Sequence, residues 1–300
     1  QAQAQLDQAL MPLGREDERK GAERDVEAAK AALAQAAWRL EQKSVAAPVA
    51  GQDWTGAYIS GHIGFSRIPE GSNNTVVFDR NLDGDFSDTI TTAAGANAFS
   101  PGFCAGAAIN SLPGGGCAVD DDGLDVGGRG GYDWQMGRFL FGVVGELAFV
   151  DHVDSVSAFS TTPAFYTLTR ELEWLVGVRA RAGYSGGRVL LYGTGGLAWG
   201  GLEHSFATSN TANTFVETEE GTALGYQLGG GVDFRFGGRW TAGAEYLWTS
   251  LADEDRYTVR AQGPAPATNP FLLGNPNGSD LRRADSLDFG AIRFVMGYRF

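Results

Sequence analysis

The last fifteen residues, SLDFGAIRFVMGYRF (286–300), place a large apolar side chain at every second position from Ile292 to the end. The apolar positions are Ile292, Phe294, Met296, Tyr298 and Phe300. The positions between them carry two arginines, a glycine and a valine. Successive side chains of a β-strand point to opposite faces, so one face of this stretch is apolar and the other is polar or small. The stretch therefore predicts a β-strand with hydrocarbon on one side and a barrel lumen on the other.

The same two-residue period recurs in seven segments upstream. They are 54–65, 124–135, 139–149, 174–184, 189–206, 226–236 and 240–248. Each segment is long enough for the ~9–11 residues that a tilted strand needs to cross a bilayer. The sequence thus predicts an all-β fold, an eight-stranded antiparallel transmembrane β-barrel over residues 51–300.

The connections between these segments alternate in length. Three are short and rich in glycine, at 136–138, 185–188 and 237–239, and each predicts a tight turn. The other four are long: 66–122, 151–168, 207–218 and 250–285. Short periplasmic turns and long extracellular loops are typical of barrels in the bacterial outer membrane. With an even number of strands, both ends of the barrel are expected in the periplasm.

Composition is compatible with this interpretation. The longest apolar stretch, 139–150, contains Glu146 and is shorter than the eighteen or more apolar residues expected of a membrane-spanning helix. The 44 glycines suit a narrow barrel in which strands bend and side chains crowd the lumen. The net charge of −13 argues against nucleic acid as a partner. The expected partners are outer-membrane lipid, lipopolysaccharide and, through the last strand, the barrel-assembly machinery.

Residues 1–50 have a different pattern. Ala, Gln, Glu and Leu dominate up to residue 43, and Val26, Leu33 and Leu40 recur every seven residues. This spacing predicts a helix with a coiled-coil tendency, followed by a short extended linker at 45–51. We expect this amino-terminal helical extension to lie in the periplasm.

Part of this segment is similar to a known family. AALAQAAWRLEQK (31–43) followed by APVAG (47–51) resembles the end of the helical hairpin in periplasmic adaptor (membrane-fusion) proteins of secretion and efflux pumps. The resemblance ends where the first barrel strand begins. It implies either a natural fusion or an artefact of sequence assembly, and the alternative is a solvated helix with no activity of its own.

The barrel segments resemble the outer-membrane immunogenic or opacity-like family of small porins. DWTGAYISG (53–61) is similar to the family's opening W-T-G-x-Y-x-x-G, and LLYGTGGLAWG (190–200) resembles its fifth strand. AEYL (244–247) and the closing YRF (298–300) resemble its last two strands. Members are structural surface proteins, narrow porins, adhesins or haemin binders. The resemblance therefore implies a surface barrel and supplies no catalytic motif.

Ten charged residues point into the predicted lumen. They are Arg129, Asp133, Glu146, Arg179, Arg181, Asp233, Arg235, Glu245, Arg293 and Arg299. Charges in a narrow interior must pair, because an isolated buried ion costs several kcal/mol. The set could line an ion-selective pore or form a salt-bridge plug. The plug is favoured because side chains just fill the interior of an eight-stranded barrel.

The two cysteines of the chain, Cys104 and Cys117, lie in the same long connection. A close pair in an exported protein predicts a loop-closing disulfide, because the compartment is oxidising. A metal pair would need further Cys or His ligands in that loop, and the sequence has none there.

The first long connection also contains a calcium-like pattern, DRNLDGDFSD (79–88). Asp79, Asn81, Asp83 and Asp85 occupy alternate positions, as in the first half of an EF-hand loop. Ile90 stands at the twelfth position, where that loop has a bidentate glutamate. The pattern predicts either a weak extracellular Ca²⁺ site or an acidic hydrophilic loop. No other cofactor is expected.

The three histidines, His62, His152 and His204, admit two interpretations. His152 and His204 fall near the outer ends of strands and could reach a haem or a metal, or all three could be incidental. No serine, histidine and acid arrangement indicates an enzyme, so a barrel protease or lipid A deacylase is disfavoured. The predicted function is a structural or narrow-porin role at the cell surface. Haemin binding or adhesion by the outer loops is the alternative.

Overall fold

The structure, a computed structural model, describes residues 53–69, 75–120 and 122–300, together with seven residues nearer the amino terminus. The chain divides into two units, Gln1–Gly51 and Gln52–Phe300. The seven described residues of the first unit are helical and exposed: Lys20, Glu27, Ala28, Lys30, Ala31, Ala34 and Gln35. The rest of the predicted helix, its linker and most of the adaptor-like stretch lie outside the described residues. Within the described part of the chain, no helix is long and apolar enough to span a membrane.

The second unit is built of β-strands, with a single turn of 3₁₀-helix described at Pro113–Gly115, which confirms the predicted all-β class. The described strands are β1 (Gly56–Arg67), β2 (Val76–Asp79), β3 (Gly102–Ala105), β4 (Gly123–Met136), β5 (Phe139–Ser160), β6 (Ala164–Ser185), β7 (Val189–Thr208), β8 (Thr214–Glu219), β9 (Thr222–Phe236), β10 (Trp240–Ala252), β11 (Tyr257–Gln262), β12 (Ser279–Arg283) and β13 (Leu287–Arg299).

Eight long strands form a closed ring in the order β4-β1-β13-β10-β9-β7-β6-β5, with β5 pairing back onto β4. Neighbours in the ring are antiparallel, and the first and last strands pair with Tyr58 opposite Arg299. Closure satisfies both hydrogen-bonding edges of each strand. The tight turns depend on glycine where the backbone is left-handed: Gly137 has φ 66° and Gly187 has φ 86°.

Alternation gives the ring an apolar exterior. Outward residues remain exposed although they are large and hydrophobic: Ile63 is 54% exposed, Phe139 and Phe149 are 60%, and Phe294 is 61%. Trp134, Tyr184 and Trp240 are also exposed and lie close to the short turns. We call this band of exposed apolar residues around the ring, from Phe139 to Phe149 on β5, the belt. An apolar belt with aromatic residues at its rim is expected where a barrel meets lipid.

The prediction of a long loop at 151–168 is wrong. Strands β5 and β6 continue well beyond the belt and are joined by a turn of three residues, 161–163. Every residue from 154 to 159 is buried, so the two faces of this hairpin are covered alike. Without a lipid-facing side, the stretch lacks the alternation by which the other strands were recognised.

The other long connections contain short strands as well, which corrects their interpretation as loops. Strands β2, β12, β11 and β8 form a second, four-stranded sheet in that order. This sheet and the ends of β5 and β6 share a hydrophobic core that includes Phe78, Phe99, Tyr166, Val259 and Phe271. We define the cap as this sheet, β3, the stretches that connect these short strands to each other and to the ring, and the β5–β6 hairpin between residues 153 and 172.

A disulfide closes a hairpin in the first long connection. Cys104 on β3 is bonded to Cys117, with their Cα atoms 6.2 Å apart. Within the hairpin, β3 pairs edge to edge with the end of β5, and the Ala108 amide donates to Ser157 Oγ over 2.9 Å. The disulfide therefore holds β3 and this hairpin against the cap.

We predict that both cysteines resist thiol reagents until the protein is reduced. In the folded, non-reduced protein a maleimide should label neither residue, and after denaturation with reductant it should label both. Replacing both by serine should lower the free energy of unfolding of the cap by about 3 kcal/mol, because a closed loop of this size is opened in the unfolded state. Stoichiometric labelling of the non-reduced protein would contradict the pairing.

Candidate functional site

The lumen enclosed by the ring is filled by side chains arranged in layers. The end near the short turns is covered by Trp54, which is fully buried and donates from Nε1 to the Gly187 carbonyl over 2.9 Å. The guanidinium of Arg235 lies 4.7 Å from the centre of the Trp54 ring, and that of Arg299 lies 5.3 Å from it. Both arginines add cation–π attraction to the packing. Trp54 thus covers this end of the lumen.

Buried ion pairs form the next layer. Arg129 Nη1 lies 2.7 Å from Glu245 Oε2. Arg179 Nη2 lies 2.9 Å from Glu146 Oε2, and Arg293 Nη1 lies 2.7 Å from Glu146 Oε1. These side chains are at most 4% exposed. Since they come from β4, β5, β6, β10 and β13, the contacts cross the lumen and join strands on its different sides.

The same layer continues toward Trp54. Arg181 is paired with Asp233 and lies 3.6 Å from Asp133. Arg299 Nη2 lies 2.9 Å from the Asp133 carboxylate. The ring of Tyr192 lies 3.7 Å from the Arg181 guanidinium carbon. The polar interior therefore extends without interruption from Glu146 to the covered end.

The structure brings together all of the predicted lumen charges except Arg235. Arg235 Nη1 instead donates to the backbone carbonyl of Asp53 over 2.7 Å, at the covered end of the lumen. This contact corrects the prediction that Arg235 belongs to the ion-pair network. Of the two inward charges of β9, Asp233 and Arg235, Arg235 is closer to the turn at 237–239. It therefore lies beyond the reach of the network's carboxylates.

Sequence reasoning missed Asp125, whose carboxylate accepts from Arg293 Nε over 2.6 Å. His62 Nε2 lies 3.0 Å from the other oxygen of the same carboxylate. Asp125 precedes Arg129 and Asp133 at intervals of four residues, so the alternation of β4 would have identified it. Gln227, which accepts from Arg179 Nη1 over 2.7 Å, was also missed because it is uncharged.

The network, defined as the ion-paired residues of this layer, carries no net charge. Its five arginines are Arg129, Arg179, Arg181, Arg293 and Arg299, and its five carboxylates are Asp125, Asp133, Glu146, Asp233 and Glu245. Buried ions are tolerated where each is compensated by an opposite charge and by hydrogen bonds. Five arginines and five carboxylates therefore give the lumen the equal numbers of positive and negative charges that a buried interior requires.

An apolar layer follows on the cap side of the network. It consists of buried side chains from six strands of the ring, with partly buried Ile68 just after β1 packed against them, and it includes Val150, Leu172, Leu175, Leu202, Leu251 and Phe289. The tightest of these, Leu251 and Phe289, have no exposed surface. This layer separates the network from the polar groups nearer the cap.

A second ionic cluster lies beyond the apolar layer, and the sequence did not predict it. Arg170 contacts the carboxylates of Asp154, Asp253 and Asp285 at 2.7, 3.1 and 3.2 Å. Arg283 lies 2.9 Å from Asp154, which joins β12 to the end of β5. Asp154, Asp253, Arg283 and Asp285 lie in stretches that were assigned to loops, and Arg170 lies between such a stretch and the strand that begins at Trp174, so no inward direction was assigned to any of them.

A β-bulge in β6 also concealed Arg170. Below the irregularity at Leu172/Trp174 the buried residues of β6 are odd-numbered, as for Leu175 and Arg179. Above it they are even-numbered, as for Leu172 and Arg170, with the exception of Thr167. The bulge therefore reverses which face each residue takes, and extrapolation from the lower half of β6 would have directed Arg170 outward.

His204 joins the second ionic cluster to the four-stranded sheet of the cap. Its Nε2 lies 3.1 Å from Asp253, and its Nδ1 lies 3.1 Å from Glu219 on β8. Its ring stacks on Tyr257 of β11 at 4.9 Å. Burial acts to lower the pKa of His204, but the hydrogen bonds and charges of Asp253 and Glu219 outweigh it and raise the pKa above its ordinary value.

The predicted metal and haem sites gain no support from this geometry. The three histidines have separate surroundings, since His62 contacts Asp125 and His152 is buried against Phe289 with ring centres 5.1 Å apart. In the calcium-like segment, the Asp79 carboxylate accepts the amides of Leu82 and Gly84. Over the described ranges, no group of three or more His, Cys, Asp or Glu side chains is placed to hold a metal ion. The Ca²⁺ site stays a prediction.

We predict that Glu245→Ala destabilises the barrel by about 3–5 kcal/mol, because Arg129 would be left buried without its partner. Tyr192 would also lose the acceptor to which its hydroxyl donates over 2.8 Å. The loss should be measured as a lower midpoint of chemical unfolding in detergent or lipid. Membrane insertion should persist, since the belt is unchanged.

The matched control is Glu203→Ala, which removes an exposed glutamate of β7. This variant should have the same midpoint of chemical unfolding as the parent protein. If Glu245→Ala were as stable as Glu203→Ala, the network would not be a dehydrated layer.

A second prediction concerns pH. A histidine whose pKa is higher in the folded than in the unfolded chain stabilises the fold fully below its unfolded pKa, and that contribution is lost as the pH rises through its folded pKa. The cap should therefore lose stability above about pH 6.5, the ordinary pKa of histidine. His204→Gln should flatten this dependence in unfolding measurements between pH 6.5 and 8.5. An unchanged slope in that variant would show that His204 is not responsible.

The chain is similar to proteins of the bacterial outer membrane. The model of the family described as outer membrane protein beta-barrel domain matches residues 43–300. The 31 kDa outer-membrane immunogenic protein of Brucella melitensis biotype 1 is 28% identical over 261 residues, which cover 85% of this chain and 87% of that protein. The 22 kDa outer membrane protein of Rhizobium leguminosarum bv. viciae is 33% identical over 125 residues, covering 42% of this chain and 51% of that protein.

Among solved structures, the outer membrane protein OprG from Pseudomonas aeruginosa matches 83% of this chain and 98% of its own, with a TM-score of 0.48 and 13% identity. The family match begins at residue 43 and so leaves most of the adaptor-like segment aside, whose resemblance to adaptors stays a prediction. It covers the whole ring, the belt, the network and the cap. The chain therefore belongs to the outer membrane protein β-barrel family, whose members are proteins of the bacterial outer membrane.

Proposed function

We propose that this chain is a closed surface barrel: its eight long strands cross the outer membrane, and its lumen does not conduct. The observation that carries the proposal is the neutral, buried network, held between the covered end at Trp54 and the apolar layer. A porin needs a hydrated path along its axis. Here the inward side chains of three successive layers are buried and contact one another across the lumen.

The direction of the chain in the membrane follows from the connections. Short turns on one side and a folded cap on the other suit a barrel whose cap faces outward and whose turns face the periplasm. In that orientation the amino-terminal segment lies in the periplasm. Lipid and lipopolysaccharide surround the belt, and the assembly machinery recognises the last strand, β13.

The proposed role is structural and not enzymatic. In the described part of the lumen, the ten charged side chains of the network are engaged in ion pairs, and none of the hydroxyl groups named above is paired with a histidine that a carboxylate orients. We place adhesion or ligand binding, the alternative role, on the cap, because the side chains of the lumen layers described above are buried.

We predict that the refolded protein produces no steady single-channel current in planar bilayers. Insertion should be verified in the same preparation by the mobility shift of the folded barrel on unheated gels. Steady, ion-selective current steps that disappear when the protein is heat-unfolded before addition would contradict a closed lumen and favour the porin alternative.

A further inference from the structure

A cavity of about 270 Å³ lies in the cap, at the end of the β5–β6 hairpin that is farthest from the belt. Four separate stretches line it: 98–99, 160–164 with Tyr166 around the hairpin turn, 209–212 after β7, and 269–271 between β11 and β12. The turn residues 161–163 are exposed, so the cavity opens to solvent. A site assembled from four stretches has a shape that the folded cap fixes.

The floor of the cavity is aromatic. Phe99, Tyr166 and Phe271 are each 3% exposed and belong to the hydrophobic core of the cap. Their rings meet edge to face, with centres 5.2 Å apart for Phe99 and Tyr166 and 5.6 Å apart for Tyr166 and Phe271. Such packing fixes the rings, so the floor is rigid and apolar.

The rim consists of hydroxyl and amide groups held by hydrogen bonds. Asn210 Nδ2 donates to the Tyr166 hydroxyl over 2.9 Å, which ties the rim to the floor. Asn269 Nδ2 donates to Asn213 Oδ1 over 3.0 Å. Thr161 and Thr162 add two hydroxyl groups from the hairpin turn. A rim that is ordered before a ligand arrives reduces the entropy lost on binding.

Charge restricts which ligand the cavity accepts. None of the described residues that line it is charged, although the chain as a whole carries −13. An anion such as haem, with its carboxylates, would find no cation here and would be repelled by the chain. A strongly basic ligand would find no carboxylate in the cavity to pair with.

We propose that this cavity binds one neutral sugar residue at the end of a glycan. A pyranose ring has an apolar face for the aromatic floor and a circle of hydroxyl groups for the amides and threonines of the rim. The volume lies just below the ~300–1,000 Å³ of pockets for drug-sized ligands, so it suits a single ring. The proposal goes beyond the structural role and does not depend on whether the lumen conducts.

The test is titration of the full chain, refolded in a zwitterionic detergent that contains no sugar, with six neutral probes and one anionic probe. The neutral probes are glucose, galactose, mannose, fucose, N-acetylglucosamine and N-acetylgalactosamine, and the anionic one is glucuronic acid. Binding is read by saturation-transfer-difference NMR. At least one neutral sugar should bind saturably with a Kd on the order of 1 mM, the affinity expected for so few atoms.

Variants locate the binding in the cavity. Thr161→Ala/Thr162→Ala should raise the Kd about tenfold through two lost hydrogen bonds, and Thr162→Trp, whose indole would fill the cavity, should abolish binding. Thr218→Ala removes an equally exposed threonine of β8 outside the cavity and should bind like the parent. The folded-barrel gel shift verifies each variant.

Three outcomes would overturn the proposal. They are binding by none of the neutral probes, tighter binding of glucuronic acid than of every neutral sugar, and binding that both cavity variants leave unchanged. A failure here would leave the closed lumen intact, since that claim is tested by current measurements without sugar.

Discussion

The structure depends on one electrostatic constraint: each charged side chain buried inside the ring must be compensated by a side chain of opposite charge. Arg293 illustrates this constraint, because it is fully buried and touches Asp125 of β4 and Glu146 of β5 from its own place on β13. A guanidinium removed from water at this depth is tolerated only if carboxylates surround it. Those carboxylates reach it only when the strands pair in one register, so the ion pairs and the closure of the ring specify each other.

The abundance of glycine follows from the same constraint. A Cβ at Gly142 would lie 2.1 Å from an oxygen of the Asp133 carboxylate, and a Cβ at Gly243 would lie 2.3 Å from an oxygen of Asp233. Two network carboxylates therefore occupy space that any other residue would fill. Glycine at these inward positions allows charged side chains to lie flat against the neighbouring strand and to reach partners across a narrow lumen.

The sequence predicted those parts of the fold in which a single rule governs many residues. Alternation between lipid-facing and lumen-facing residues indicated the strands of the ring, the glycine turns between them and most of the network. The alternation is regular there because every outward side chain of the ring within the belt contacts lipid and is therefore apolar or small. The rule fails in the cap, where residues 154–159 are buried on both faces. It also fails at the bulge in β6, which turns Arg170 inward. A bulge shifts the alternation by one residue, and a single sequence does not show where that shift occurs.

The candidate sites differ in the same way. The inward charges of β4, β5, β6, β9, β10 and β13 could be predicted from their strands, but their partners could not, because pairing depends on the diameter of the ring and on its shear. The second ionic cluster and the sugar-sized cavity combine residues distant in sequence, such as Arg170 with Asp285 or Tyr166 with Asn210. Contacts of that kind arise from the cap's tertiary packing and carry no local signature.

A double-mutant cycle on Glu146 and Arg179 tests the central claim most directly. Removing one partner leaves an unbalanced ion in the network, whereas removing both restores neutrality. In equilibrium unfolding, Glu146→Ala/Arg179→Ala should therefore be less destabilised than the sum of its two single variants, with a coupling of about 1–3 kcal/mol. Destabilisations that add to within about 0.5 kcal/mol would show that water screens these charges, and they would contradict a closed, dehydrated lumen.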